Sequence, residues 1–253
     1  MSEPLKDAAQ NCGSILTSYI GDVVTIIKQL SPDSLANGFS TLVGALLGAM
    51  LAYFLQRKFQ KTVEHEAAQI SGHKLMFALL QQINTLVLIQ RDYVHQHIGN
   101  PGRFLSIPAT PLYDVKKNVL ELPDLSFLLN SKDARAILYN FYIAQENYIE
   151  AISQWNIRSS LHLEKVQPAL AASTLENGGD VTEKELQAVL GDYIYGSIIN
   201  STDNCLISLQ RAFQKLSAVK TEARTYLVKR FKTKDFTDFT TPESFGLSEP
   251  VPS

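Results

Sequence analysis

The chain has 253 residues, 45% of them hydrophobic, and a formal net charge of −2. That balance lacks the basic footprint of a nucleic-acid binder and leaves room for one packed domain beside an anchor. Cys12 and Cys205 are the two cysteines, with no CxxC, which excludes a disulfide scaffold.

Residues 1–13 are expected to be a flexible N-terminus. Over 14–30, Ile15, Leu16, Tyr19, Ile20, Val23, Ile26, Ile27 and Leu30 recur at helical spacing, with Ser, Thr, Asp22 and Lys28 on the other face. High amphipathicity with modest hydrophobicity predicts a helix lying in the membrane interface. A soluble amphipathic helix is one alternative, and a second span, forming a helical hairpin, is the other. The second span would place Asp22 in lipid at a cost of about 2.5–3.5 kcal/mol. Ser31-Pro32 breaks this segment from the next.

Between Asp33 and Arg57 the chain carries no charge. The uncharged block, 34–56, is about 23 residues, or roughly 34 Å of helix, long enough for a transmembrane helix. Arg57, Lys58 and Lys61 follow at once, and Tyr53 and Phe54 sit near that boundary. Positive charge at a membrane end stays cytoplasmic, so the C-terminal mass is expected inside and the N-terminal tail outside. Gly44 and Gly48 form a GxxxG. With Gly38, Thr41 and Ala52 they make a small-residue stripe that would let two helices approach closely in lipid.

Residues 57–232 read as a cytoplasmic helical bundle. The first segment, 57–98, is apolar at Phe59, Val63, Ile70, Met76, Leu79, Leu80, Ile83, Leu86, Val87 and Val94, with Gly72 its softest point. GNPGRFLSIPATP stops it. Two short helices divided at Pro123 are expected next. Ser131 is a candidate N-cap with Asp133 in the first turn. Ala134, Leu138, Phe141, Gln145, Tyr148, Ile152 and Trp155 then alternate spacings of four and three, a heptad seam. Pro168 is the expected stop and 173–180 a loop. Thr182-Glu-Lys-Glu185 is a capping box. A second seam follows at Thr202, Cys205, Leu209, Ala212, Leu216, Val219, Ala223 and Tyr226. No run alternates with period two. The fold class is therefore all-α: an N-terminal membrane anchor followed by an antiparallel bundle of long helices.

The last stretch, 233–253, loses all periodicity and is expected to be a disordered tail. Its phenylalanines, Phe236, Phe239 and Phe245, offer the alternative of docking on a partner or on the bundle.

Little here looks catalytic. His65-Glu66 lacks the second histidine of HExxH, His95 and His97 fall on different sides of a helix, and no phosphate loop is present. No catalytic residue, metal site or cofactor is expected. Arg158 and His162 would share a helix face. They resemble the Arg and His of the HEPN ribonucleases, although only three residues intervene here.

The anchor SILTSYIGDVVTIIKQLSPDSLANGFSTLVGALLGAMLAYFLQRK ahead of a small helical domain resembles the membrane-acting effectors of bacterial abortive-infection systems, including the transmembrane effectors of some retrons. The resemblance implies an effector held inactive by partner proteins, released on phage infection, and damaging the inner membrane. The expected function is thus a non-enzymatic effector or interaction protein of the inner membrane. Its partners would be the lipid bilayer, further copies of itself and a protein on the cytoplasmic side, without direct nucleic-acid contact. A membrane-tethered ribonuclease using Arg158 and His162, or a non-toxic scaffold, are the alternatives.

Overall fold

The computed structural model describes residues 32–173 and 182–239. The flexible N-terminus expected over 1–13, the interfacial helix or second span over 14–30, all but Ser173 of the loop expected over 173–180, and the tail beyond Phe239 lie outside them. The described residues form an all-α fold without strands. Five α-helices follow in order: α1 Pro32–Ile89, α2 Arg103–Ser106, α3 Lys132–Leu161, α4 Gln167–Ala171 and α5 Glu183–Phe231. The chain divides into two compact units, 1–65 and 66–253.

In the first unit, α1 begins at Pro32, a position where a missing N–H goes unnoticed. From Phe39 to His65 every residue is exposed.

In the second unit, burial starts at Ala68 and continues through Leu75, Met76, Leu79, Ile83, Leu86 and Ile89. Phe59 and Ile70, expected on the same apolar face, are 72% and 59% exposed. Gly72 is no soft point. α1 passes straight through it, and a Cβ there would meet Leu227 Cδ2 at 2.9 Å and Phe236 Cε1 at 3.0 Å. The glycine is a close-approach site rather than a weakness.

Both seams are buried as expected. Every α3 seam residue from Ala134 to Trp155 is 8% exposed or less, and the α5 seam is buried from Thr202 to Ala223. Asn140 bonds Glu222 at 3.0 Å and Glu150 faces Arg211 at 3.9 Å, so α3 and α5 run antiparallel. Gln82 meets Gln145 at 3.3 Å, and Tyr93, in the π-turn Gln90–Val94 that ends α1, meets Trp155 with ring centroids 6.0 Å apart. α1 and α3 therefore run parallel, and a crossover must return the chain along the bundle.

That crossover is a strap, residues 98–130, and it differs from the two short helices expected. Only Leu122–Asn130 is helical after α2, as a 3₁₀ turn. The stretch before it is held irregular by side chains of the long helices. Asn156 of α3 donates to Tyr113 O at 2.8 Å and accepts from Tyr113 N at 2.9 Å. Gln145 clamps Leu120 in the same two-point manner, at 3.1 and 2.8 Å. Gln82 of α1 donates to Asn118 O at 2.8 Å. Each amide replaces the backbone partner that a helix would have supplied.

Pro168 does not stop the helical path. A π-turn, His162–Val166, absorbs the register change, and Pro168 sits in the first turn of α4, where its ring is tolerated. The capping box is present: Thr182 N donates to Glu185 Oε2 at 2.8 Å and Glu185 N to Thr182 Oγ1 at 3.4 Å. An unforeseen break follows at Gly191, whose φ of 72° and ψ of 154° interrupt α5. Only glycine adopts that conformation cheaply.

The tail was expected to be disordered from residue 233, yet 233–239 folds back on the bundle. Phe236 is 1% exposed, stacked on His73 at 4.6 Å and near Phe231 at 5.6 Å. Lys220 Nζ donates to Phe239 O at 2.6 Å, and Arg224 pairs with Asp238 at 3.2 Å. One buried aromatic and two charged contacts offset the ordering entropy of a few residues.

Candidate functional site

One described helix is long and apolar enough to cross a membrane, and none of its apolar window is covered. Phe39, Leu42, Leu46, Leu47, Leu51 and Phe54 are each more than half exposed, around all sides of α1. A soluble core helix hides at least one stripe. Here no stripe is hidden. Backbone groups inside the helix satisfy one another, which is the condition for a span in lipid. Thr41 adds an Oγ1 bond to Asn37 O at 2.8 Å, removing its polar hydrogen from the surroundings.

The small-residue stripe runs along this segment. Gly38, Thr41, Gly44, Gly48 and Ala52 all lie in α1. A Cβ built on Gly44 or Gly48 meets nothing within 4 Å, so no described residue covers the stripe at these two positions. Arg57, Lys58 and Lys61 follow on the exposed helix, without an ion pair among the described residues, and Tyr53 and Phe54 stand edge to face just before them at 6.0 Å.

Arg158 and His162 are placed quite differently. Arg158 is fully buried. Its guanidinium donates to Pro108 O at 2.7 Å, to Phe104 O at 3.1 Å and to Ile107 O. Three carbonyls at the start of the strap thus take the place of a carboxylate. Loss of hydration lowers its pKa to about 10, still charged at neutral pH, and the Cys205 thiol nearby is pushed up to about 12 by burial and stays neutral. The two terminal nitrogens are committed to the backbone, Nε is buried without a partner among the described residues, and no face is open to solvent where a phosphate could bind.

His162 is 5% exposed. Its Nε2 lies 3.2 Å from Leu105 O, and because a carbonyl only accepts, Nε2 carries the proton. Nδ1 is buried without a partner among the described residues. Burial, then the Arg158 charge, lower its pKa. The imidazole of the folded chain therefore takes up its proton at lower pH than that of the unfolded chain, whose ordinary value is 6.5. A depressed pKa contributes stability above the unfolded value, and that stability is lost as pH falls below it. Urea unfolding of the wild type should weaken from about pH 7.5 to about pH 5.5, by at most about 1.4 kcal/mol per pH unit. His162→Gln should flatten that slope; an unaltered slope would assign it elsewhere.

Sequence reasoning missed the amide clamps Gln82, Gln145 and Asn156 and the Trp155 Nε1 bond to Thr110 Oγ1 at 2.7 Å. Gln145 gave the one available signal, a polar residue inside an apolar seam. Among the described residues no group of three His, Cys, Asp or Glu could hold a metal. No protein-family model, curated relative or solved structure matches the chain.

Proposed function

We propose that this chain is a non-enzymatic membrane effector or interaction protein of the bacterial inner membrane. Its anchor spans the bilayer with the helical bundle in the cytoplasm, self-associates along the small-residue stripe, and perturbs the membrane when the bundle's protein partner releases it. Defence against phage is the setting that suits this design. The observation that carries the reading is the uncovered apolar helix with Arg57, Lys58 and Lys61 at its edge. Basic residues at that edge favour a cytoplasmic C-terminal domain. Gly44 and Gly48 supply the close-approach surface that helices use in lipid. The ribonuclease alternative draws no support from a buried Arg158 bound to three carbonyls.

Induced expression in a bacterium should slow growth and lower the membrane potential. Gly44→Leu with Gly48→Leu should restore most of the growth at unchanged protein level, because bulky side chains block helix approach. Toxicity that survives this pair but vanishes with His162→Ala, the bundle still folded, would move the function to an enzyme.

A further inference from the structure

The two ends of the bundle differ in charge. At one end stand the first turn of α3, the end of α5 and the residues just after it. Arg230 bonds Phe127 O at 3.1 Å, next to the start of α3, and Phe231 meets Phe236, which stacks on His73 of α1. This end therefore gathers Lys132, Arg135, Lys229, Lys232 and Lys234, all exposed and none in an ion pair among the described residues. Among the described residues the acids here are fewer. Asp124 is bonded to Lys74 and Asp238 to Arg224, leaving Asp133, Asp235 and Glu66. At the other end, where Val166 packs with Leu190, the balance reverses: Glu164, Glu183, Glu185 and Asp192 face Lys165 and Lys184. Arg91–Asp92 and Arg103–Asp203 there are already paired.

Helix stability explains part of the basic end. Lys229 and Lys232 complement the C-terminal dipole of α5. Lys132 and Arg135 do the opposite. They sit in the first turn of α3, beside the positive end of its dipole, where a cation is unfavourable by about 0.3–1 kcal/mol. Their placement needs another cause.

We infer that the end of the bundle carrying Lys132, Arg135, Lys229, Lys232 and Lys234 is a second membrane contact that binds anionic lipid headgroups. This rests on the membrane reading of α1. Chain length supports it. The α1 residues of this end begin at Glu66, about nine residues after Arg57, a reach of at most about 30 Å. Charge complementarity selects the occupant: a cytoplasmic leaflet is negative, and each lysine near its surface adds to attraction within a Debye length.

The full chain is reconstituted into nanodiscs of phosphatidylcholine, with or without phosphatidylglycerol, and lysine acetylation is read by mass spectrometry. Lys132, Lys229, Lys232 and Lys234 should acetylate several-fold more slowly in the anionic discs, and high salt should abolish the difference. Lys165 and Lys184, at the other end, should not change. Charge reversal by Lys132→Glu, Lys229→Glu, Lys232→Glu and Lys234→Glu should weaken association with anionic lipid while insertion persists. Equal acetylation in both lipids, with the chain inserted, would overturn this inference alone. Protection that appears only on adding RNA or an acidic protein would replace lipid as the occupant. A chain that fails to enter either disc would overturn the membrane reading instead.

Discussion

Arg158→Ala should lower the stability of the bundle by about 3–5 kcal/mol, the range for losing a buried cation's hydrogen bonds together with its packing. The change removes a fully buried side chain and strands the carbonyls of Phe104, Ile107 and Pro108. Each stranded buried acceptor is unfavourable by about 1–3 kcal/mol unless water reaches it. Arg158→Lys keeps the charge but not the planar fork, so it should recover only part of the loss. The chain has one tryptophan, Trp155, buried and bonded to Thr110 of the same strap. Its emission during urea unfolding in mild detergent reads this region directly. A loss below about 1 kcal/mol would mean that the strap does not depend on the guanidinium.

The second large effect is expected at Phe236. Phe236→Ala removes a ring that is 1% exposed between His73 and Phe231. Phenylalanine truncation in a core typically destabilises by about 3–5 kcal/mol. A terminal segment can detach, so the observed loss should stop at the docking free energy, near the bottom of that range. Trypsin should then cut after Lys232 and Lys234 much faster than in the wild type. Gly72→Leu tests the same contact from the other side. Its added atoms would collide with Leu227 and Phe236, expelling the ring without deleting it. Unchanged cleavage in both variants would contradict a docked tail.

These two sites show what local sequence carries and what it does not. The seams of α3 and α5 and the Thr182–Glu185 box are legible because each depends on residues a few positions apart on one helix. The uncharged block of α1 is legible for the same reason: length and composition alone decide whether it could span. The strap is not, because its shape comes from Gln82, Gln145 and Asn156, which reach it from other helices. Nothing local marks residues 112–121 as non-helical once those amides claim the backbone. Pro168 misleads because its effect depends on whether the missing N–H falls inside a helix or in its first turn. Phe236 combines an unstructured local composition with a distant cavity that Gly72 leaves open. Arg158 and His162 share a helix face as their spacing requires, but the spacing says nothing of whether that face meets solvent or the strap.

The proposed function requires α1 between Phe39 and Arg57 to be solvated by lipid. Alkaline carbonate extraction, combined with protease digestion of a C-terminal tag, addresses this directly. The chain should stay with the membrane pellet, and the tag should be shielded in intact spheroplasts and digested in inverted vesicles. A chain released into the supernatant, and monodisperse there without detergent, would contradict the account.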